Sequence, residues 1–214
     1  MKVKICCISS ADEARMAIKY GAVALGLVGK MPSGPGPISD DLIASIVRTI
    51  PPPIASFLLT SETVAQDIIQ HHHRTHTNTI QLVDELSKRD YKMIKEALPA
   101  IKIVQVIHVT DESSIDEAVE IAEMVDALLL DSGNPKLAIK QLGGTGRTHN
   151  WLLSRKIVEQ CKVPVFLAGG LNEYNVMEAM EKVNPFGLDL CSGVRTNGYL
   201  DEGKLERFFR AVGL

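Results

Sequence analysis

The sequence predicts a single-domain (β/α)8 barrel, and three observations support this prediction. Apolar runs of strand length occur eight times along the chain, and segments with helical periodicity separate them. The 214 residues, 45% of them hydrophobic, can form one core and slightly exceed the roughly 200 residues that this architecture needs. Polar and reactive residues follow the ends of several strands, at the face where a barrel places its active site. An open, doubly wound sheet is the alternative.

Eight strand-helix units account for nearly the whole chain. The predicted strands are Val3–Cys7, Ala24–Val28, Ile54–Leu59, Thr79–Val83, Ile103–His108, Ala127–Leu130, Val165–Ala168 and Gly187–Cys191. The predicted helices are Ala11–Tyr20, Asp40–Ile50, Glu62–His72, Tyr91–Leu98, Ser114–Met124, Trp151–Cys161, Glu173–Val183 and Lys204–Val212. Ser39 and Asn172 are start signals for the second and seventh helices. Pro51–Pro53 end the second helix, and Pro164 leads into the seventh strand.

Composition narrows the classes of partner. The net charge of −3 argues against a nucleic-acid surface, and no apolar run approaches the ~20 residues that span a bilayer. We recognise no cleavable export signal at the first residues. The four cysteines, of which Cys6 and Cys7 are adjacent, have neither metal-ligand spacing nor the pattern of a disulfide framework. We therefore expect a cytoplasmic protein with reduced thiols and with neither a membrane nor a nucleic acid as partner.

The stretch Ala127–Trp151 carries the first candidate catalytic residue. It opens with a short, uninterrupted apolar run, typical of a strand buried on both faces, and this run ends at Asp131. The carboxylate is therefore expected at the carboxyl end of strand six. Further on, Gly143–Thr148 contains three glycines that let backbone amides approach an anion, but it lacks the lysine and the spacing of a nucleotide-binding loop. A solvated turn after an ordinary strand is the simpler alternative.

Two adjacent cysteines end the first predicted strand. Alternation along a strand places Cys6 and Cys7 on opposite faces, so only one of them is expected to face the barrel mouth. A buried cysteine is more often a small hydrophobic residue than a catalyst, so the residue type alone assigns no function to either thiol.

Five segments together resemble one enzyme family. In this order and at these separations, KICCIS, DALLLDS, GGTGRTHNW, VFLAGGLN and LDLCSGVR resemble the phosphoribosylanthranilate isomerases, (β/α)8 enzymes (TIM barrels) of tryptophan biosynthesis. The resemblance covers nearly the whole chain. It implies an Amadori rearrangement of an aminoaldose phosphate, with Cys6 as the general base and Asp131 as the general acid. It implies neither a metal nor another cofactor.

The same resemblance suggests how the substrate is held. In this fold, the loops after strands seven and eight bind phosphate, and glycines there expose backbone amides. The corresponding residues are Gly169, Gly170, Ser192 and Gly193. Asp189 also matches the family pattern and is expected either to contact the sugar hydroxyls or to serve as a structural cap.

Departures from the family pattern lie at the end of the site that would hold the anthranilate. Cys7 replaces a glycine, and Gly36 stands where the family has an arginine that holds the substrate carboxylate. Our hypothesis is that Arg147 or Arg195 supplies the missing positive charge. Two alternatives stay open, namely a related isomerase or lyase for another aminosugar or sugar phosphate, and a phosphate-ligand binding protein without turnover.

Histidines suggest two further sites. The run His71–His76 resembles a metal-binding box, but it lies at the face opposite the active site and we predict no functional metal there. His108 is expected at the active face, either as a hydrogen-bonding partner of the substrate or as a satisfied strand-end histidine. The sequence does not decide between a monomer and a homodimer.

Overall fold

The computed structural model describes residues 1–133, 146 and 148–214. Eight strands alternate with eight helices along the chain. The strands are β1 (Lys2–Ile5), β2 (Ala24–Val28), β3 (Ala55–Thr60), β4 (Thr79–Leu82), β5 (Lys102–His108), β6 (Ala127–Asp131), β7 (Val165–Leu167) and β8 (Gly187–Leu190). The helices are α1 (Ala11–Tyr20), α2 (Asp40–Val47), α3 (Ala65–Thr75), α4 (Lys88–Ala97), α5 (Ser113–Ala122), α6 (Trp151–Gln160), α7 (Val176–Val183) and α8 (Glu202–Ala211).

The strands form a closed parallel barrel, which confirms the predicted (β/α)8 fold and excludes the open sheet. Each strand pairs with the next, and β1 closes the ring by pairing with β8. In this register, Lys4 lies between Ala24 of β2 and Asp189 of β8. The carboxyl ends of all eight strands therefore meet at one face of the barrel.

Alternating side chains divide the apolar residues between two cores. Val3 and Ile5 of β1 point outward and pack into the layer between strands and helices, while Cys6 packs inside the barrel. Phe57 and Phe166 fill the barrel interior with an edge-to-face contact, their ring centroids 6.3 Å apart. Each large side chain buried in this way contributes about 1.5–3 kcal/mol to folding, so both layers stabilise the barrel.

Local signals explain most helix starts. Ser39 accepts a hydrogen bond from the Leu42 amide and caps α2 as predicted. The predicted start of α7 at Asn172 is wrong, because the helix begins three residues beyond Glu173, at Val176. The side chain of Asn172 accepts from the Tyr174 amide, and Asn175 accepts from the Asn172 amide, so the two asparagines stabilise a turn before the helix.

The segment after β8 contains structure that the sequence did not predict. A 3-10 helix spans Ser192–Val194, and a hairpin of β9 (Arg195–Thr196) and β10 (Tyr199–Leu200) leads into α8. In the described ranges, no helix is long and apolar enough to cross a lipid bilayer.

Candidate active site

An open cavity of about 770 Å³ lies at the carboxyl ends of the strands, where the sequence predicts the active face. The predicted site residues that line it are Cys6, Asp131, Gly169, Gly170, Asp189, Ser192 and Gly193. Gln81 also lines the cavity, and its buried Oε1 has no hydrogen-bond partner among the described residues. No lysine or arginine belongs to the cavity wall in the part of the chain that the structure describes.

Cys6 directly follows β1 and is 5% exposed. Its amide donates to the Leu190 carbonyl at 2.7 Å, so the pairing of β1 with β8 continues as far as the thiol. A hydrogen bond with the Cys7 thiol and the positive charge of Lys4 lower the pKa of Cys6, although burial acts in the opposite direction. The site therefore favours the thiolate, which is the form that accepts a proton.

Both adjacent cysteines line the cavity, so the prediction that only one faces the barrel mouth is wrong. Strand alternation stops at Ile5, and Cys7 has a left-handed backbone with φ of 62°. The Sγ of Cys7 lies 2.8 Å from that of Cys191. Hydrogen bonds with Cys191 and Cys6, together with burial, raise the pKa of Cys7. Cys7 is therefore kept as a protonated thiol beside Cys6.

Asp131 is the last residue of β6, as predicted, and it is 6% exposed. Burial raises the pKa of its carboxyl group, although the amides of Ser132 and Gly133 donate to it and favour the ionised form. The cavity thus holds a carboxyl group inclined to keep its proton and a thiol inclined to lose its own. Two titratable groups whose pKa values are shifted in opposite directions are typical of an acid-base pair.

A buried ion pair lies at the floor of the cavity, where Asp189 lines the cavity and Lys4 lies beneath it. Lys4 Nζ donates to Asp189 Oδ1 at 2.8 Å, and Lys4 has no exposed surface. Burial alone would lower the pKa of Lys4, but the charges of Asp189 and Cys6 outweigh it and raise this pKa. Lys4 was not among the site residues predicted from the sequence. Its signal was a lysine between two apolar residues of a buried strand, on the same face as Cys6.

The loops after β7 and β8 form one side of the cavity. Gly169 and Gly170 have φ values of 85° and 63°, which favour glycine. A Cβ on Gly193 would lie 2.0 Å from the Leu171 carbonyl oxygen, so the backbones of the two loops are in direct contact. This contact requires glycine at position 193 and brings the predicted phosphate-binding residues together.

The structure describes only one of the two arginines that were proposed to hold the substrate carboxylate. Arg147 lies outside the described residues. Arg195 does not line the cavity, contrary to our hypothesis. Its guanidinium donates to the Glu13 carboxylate at 3.0 Å and to the Cys7 carbonyl at 2.6 Å. Because these hydrogen bonds hold the loop after β1 against the segment after β8, the position of Arg195 suits a structural role.

Cys7 and Gly36, two positions at which the chain departs from the family pattern, are in contact with each other. A Cβ on Gly36 would lie 2.7 Å from Cβ of Cys7 and 3.0 Å from its Sγ. Cys7 therefore fills the space that any side chain at position 36 would need. Gly36 also has φ of 86°, a conformation that other residues adopt only with strain.

The histidines have hydrogen bonds that suit structural roles. His71 bonds Thr60 Oγ1 at 3.0 Å and Asp40 Oδ1 at 3.1 Å, and His72 bonds the Thr77 carbonyl at 2.7 Å. In the described ranges, no three histidine, cysteine, aspartate or glutamate side chains come together as metal ligands. His108 Nε2 bonds the Val83 carbonyl at 3.1 Å and His108 does not line the cavity, which favours a structural strand-end position over a substrate contact. Its buried Nδ1 has no hydrogen-bond partner among the described residues.

Comparison with known proteins gives consistent matches over the full length. The family model described as N-(5'phosphoribosyl)anthranilate (PRA) isomerase matches residues 3–211. N-(5'-phosphoribosyl)anthranilate isomerase 2 of Methanosarcina mazei is 37% identical over 210 residues, which are 97% of this chain and 92% of the relative. The isomerase of Nostoc punctiforme is 33% identical over 215 residues, with 100% of this chain and 99% of the relative covered.

Solved structures agree with the sequence matches. The phosphoribosyl anthranilate isomerase of Thermotoga maritima has a TM-score of 0.85 at 28% identity, and each chain is covered completely. Another phosphoribosyl anthranilate isomerase, with a TM-score of 0.83 at 26% identity and complete coverage of both chains, was solved with reduced 1-(o-carboxyphenylamino)-1-deoxyribulose 5-phosphate.

Proposed function

Because the chain belongs to the N-(5'-phosphoribosyl)anthranilate isomerase family, we propose that it converts N-(5'-phosphoribosyl)anthranilate into the corresponding 1-amino-1-deoxyribulose 5-phosphate in tryptophan biosynthesis. One observation carries the proposal. Cys6 and Asp131 line the same cavity, and their surroundings lower the pKa of the thiol and raise that of the carboxyl group. An Amadori rearrangement needs a base and an acid in these two states.

The reaction follows from these two groups. Asp131 donates its proton to the furanose ring oxygen as the bond from C1' to that oxygen breaks, and the nitrogen lone pair forms a Schiff base. The Cys6 thiolate then removes the proton from C2', and the electron pair moves to give an enolamine. The enolamine takes up a proton at C1' while the hydroxyl group on C2' gives up its proton, and the C2' carbonyl of the aminoketose forms. Each acid or base step of this kind is typically worth ~10²–10⁴ in rate.

The rest of the cavity suits the sugar phosphate. Gly169 and Gly170 lie beside Ser192 and Gly193 on one side of the cavity, and we propose that these two loops hold the phosphate through backbone amides and the Ser192 hydroxyl. The Asp189 carboxylate accepts a hydrogen bond from Lys4 and also lines the cavity, so it can accept another hydrogen bond from a sugar hydroxyl. The unpartnered Oε1 of Gln81 is a second acceptor for such a hydroxyl.

The carboxylate of the anthranilate is proposed to contact Arg147. Two observations support this choice over Arg195. The described cavity wall contains no cation, and Gly146, which precedes Arg147 in the sequence, lines the cavity beside Ser192. An arginine suits a carboxylate because its guanidinium donates two parallel hydrogen bonds.

Steady-state turnover of freshly prepared N-(5'-phosphoribosyl)anthranilate, followed by loss of substrate fluorescence, tests the function. We expect turnover by the purified protein and its loss in both Cys6→Ala and Asp131→Ala. The matched control is Cys161→Ala, which removes a half-exposed thiol after α6 and should leave the rate unchanged. A folded protein without turnover would contradict the proposal and direct the search to other aminosugar phosphates.

The alternative function, the independence from a cofactor, the oligomeric state and the localisation stay predictions, and each has its own test. A phosphate-binding protein without turnover would keep its ligand affinity in Cys6→Ala and would have no rate to lose. We predict that activity needs neither a metal nor another cofactor, and turnover in the presence of a chelator tests the need for a metal. Light scattering measures whether the protein is a homodimer, and cell fractionation measures whether it is cytoplasmic.

A further inference from the structure

We propose that Lys4 is a positioning residue that keeps the Cys6 thiol ionised, and that Asp189 limits how much of the Lys4 charge acts on Cys6. The inference deepens the proposed function and rests on it, because it concerns the base of that reaction. Lys4 acts through Cys6 and does not itself line the cavity.

The geometry follows from strand alternation. Lys4 and Cys6 are two residues apart on β1 and its extension, so both point into the barrel. Their positions relative to Gly26 of β2 show how close they are. A Cβ on Gly26 would lie 2.9 Å from Cys6 Sγ and 3.0 Å from Lys4 Nζ, which places the ammonium and the thiol within about 6 Å of each other. At this separation an opposite charge changes a pKa substantially.

The complete burial of Lys4 indicates that its charge does more than fill space in the core. Lys4 is completely buried, and its ammonium lies 5.3 Å from the centre of the Phe57 ring. A buried ion pair loses the hydration of both ions, and apolar side chains of similar volume often stabilise a protein as well or better. Apolar side chains in place of both Lys4 and Asp189 would therefore fill this space at little cost to the fold. Packing therefore does not account for an ammonium at this position, whereas the neighbouring Cys6 thiol gives its charge a role.

Among the residues that the structure describes, Lys4 faces several acidic groups at this centre. The titratable and charged groups that surround it are Lys4, Cys6 and Cys7 from β1 and its loop, His108 from β5, Asp131 from β6, Asp189 and Cys191 from β8 and its loop, and the Arg195–Glu13 pair behind the two loops. Asp189 lies directly opposite Lys4 in the strand register, and its negative charge offsets part of the positive charge of Lys4. The part that is not offset acts on Cys6. Because Asp131 keeps its proton, its carboxyl group does not add a third negative charge.

The arrangement predicts effects of opposite sign. Removal of the Lys4 charge should raise the pKa of Cys6, whereas removal of the Asp189 charge should lower it, because Lys4 then acts on Cys6 alone. An opposite charge at this distance typically changes a pKa by about 1–3 units. Damage to packing would instead disturb Cys6 in the same direction in both variants.

The test measures the Cys6 thiolate directly and does not need turnover. The far-ultraviolet absorbance of thiolates is titrated against pH in the whole protein, and the titration of the Cys6→Ala variant is subtracted to isolate Cys6. The variants are Lys4→Met, Lys4→Arg, Asp189→Asn and the double variant Lys4→Met/Asp189→Asn. The matched control is Lys2→Met, which removes an exposed lysine from the same strand.

We expect the midpoint of the Cys6 titration to move up by about 1–3 pH units in Lys4→Met, to move down in Asp189→Asn and to recover in Lys4→Arg. Lys2→Met should leave it unchanged. If Lys4→Met does not fold because Asp189 is left buried and unpaired, the double variant removes both charges and should still raise the midpoint.

Midpoints that stay unchanged, or that move in the same direction in Lys4→Met and Asp189→Asn, would overturn the inference. The outcome is separate from that of the proposed function. A protein without isomerase turnover that shows the two opposite shifts contradicts the function and supports the role of Lys4, and the reverse pattern contradicts the role of Lys4 alone.

Discussion

At the scale of single residues, Gly26 leaves room for the thiol of Cys6, the proposed base. An added Cβ would lie 2.9 Å from Cys6 Sγ and 3.1 Å from its backbone Cα, so Gly26→Ala must displace the thiol. We expect kcat to fall by about 10²-fold with a smaller change in KM, because a shift of about 1 Å in a reacting group can cost that much. Steady-state kinetics measure both constants. Gly203→Ala in α8 is the control, since its nearest neighbour is the flexible Arg207 side chain at 3.3 Å. Full kcat in Gly26→Ala would refute the prediction.

Arg147 tests the carboxylate contact. A hydrogen bond to a charged group contributes about 1.5–3 kcal/mol, so Arg147→Ala should raise KM for N-(5'-phosphoribosyl)anthranilate by roughly 10- to 100-fold. The control is Arg155→Ala, which removes an arginine on α6 that pairs with Glu159 on the same helix. Initial rates over a range of substrate concentrations give both values. An unchanged KM in Arg147→Ala would show that another group holds the carboxylate.

Cys7 and Gly36 should respond to mutation together. Gly36→Arg introduces a Cβ that would lie 2.7 Å from that of Cys7, so this variant is expected to unfold at a lower temperature than the unchanged protein. The double variant Cys7→Gly/Gly36→Arg removes the clash and should recover about 1–3 kcal/mol of the lost stability. Thermal unfolding of both single variants and the double variant measures the coupling. Additive effects would show that the two positions are independent.

At the scale of elements, the loops after β7 and β8 are in direct contact, and we expect them to bind phosphate as one unit. Gly193→Ala would place a Cβ 2.0 Å from the Leu171 carbonyl oxygen, and one of the two loops must then move. We expect inorganic phosphate to bind at least about 10-fold more weakly, because backbone amides at both loops lose their common geometry. Calorimetric titration with phosphate measures this affinity, again with Gly203→Ala as the control. Equal affinity in Gly193→Ala would contradict a joint site.

The regular elements follow from periodicity, whereas the corrections occur where tertiary contacts override it. Alternation and helical spacing give α1 and β2 with the bounds that the structure has. The hairpin of β9 and β10 was not predicted, because its two-residue strands are too short for a pattern and depend on Glu13, which accepts hydrogen bonds from Arg195 and the Leu200 amide. Such contacts join parts of the chain that lie far apart in sequence.

The positions of site residues were predictable where these residues lie at the carboxyl end of a barrel strand. Asp131 closes β6 and lines the cavity, as its place after an apolar run indicates. Arg195 and Cys7 were placed less well, because their directions depend on an ion pair and on a left-handed backbone that residue types alone do not indicate. Lys4 was recognisable as a charge within a buried strand, but its partner became evident only when β1 and β8 were paired.

At the scale of the whole molecule, we expect Asp131, the proposed acid, to lower the stability of the fold. Burial raises the pKa of Asp131, so the folded protein keeps this proton at pH values where the unfolded chain has lost it. Stability therefore falls as pH rises from the ordinary pKa of an aspartate toward the raised value. Asp131→Asn should remove this loss and increase the melting temperature by about 2–4 °C at neutral pH for each kcal/mol recovered.

Thermal unfolding from acidic to neutral pH measures the effect of Asp131→Asn. The gain in melting temperature should disappear below the ordinary pKa of an aspartate, where both states of the unchanged protein are protonated. Asp116→Asn, at an exposed position of α5, is the control and should change little at either pH. A variant at Asp131 that is less stable at neutral pH would contradict the assignment.

The pairing of β1 with β8 has a consequence for how the protein is made. Lys4 and Asp189 are 185 positions apart. Cys6, the proposed base, directly follows the first strand synthesised, whereas the carboxylate that pairs with Lys4 comes from β8, the last strand of the barrel. At about 5–20 residues per second, a ribosome needs roughly 10–40 s to add that distance. During this time the nascent chain has no closed barrel, no joined phosphate loops and no partner for Lys4. Catalytic competence therefore arises only at the end of translation, and a chain that stalls before β8 is inactive rather than partly active.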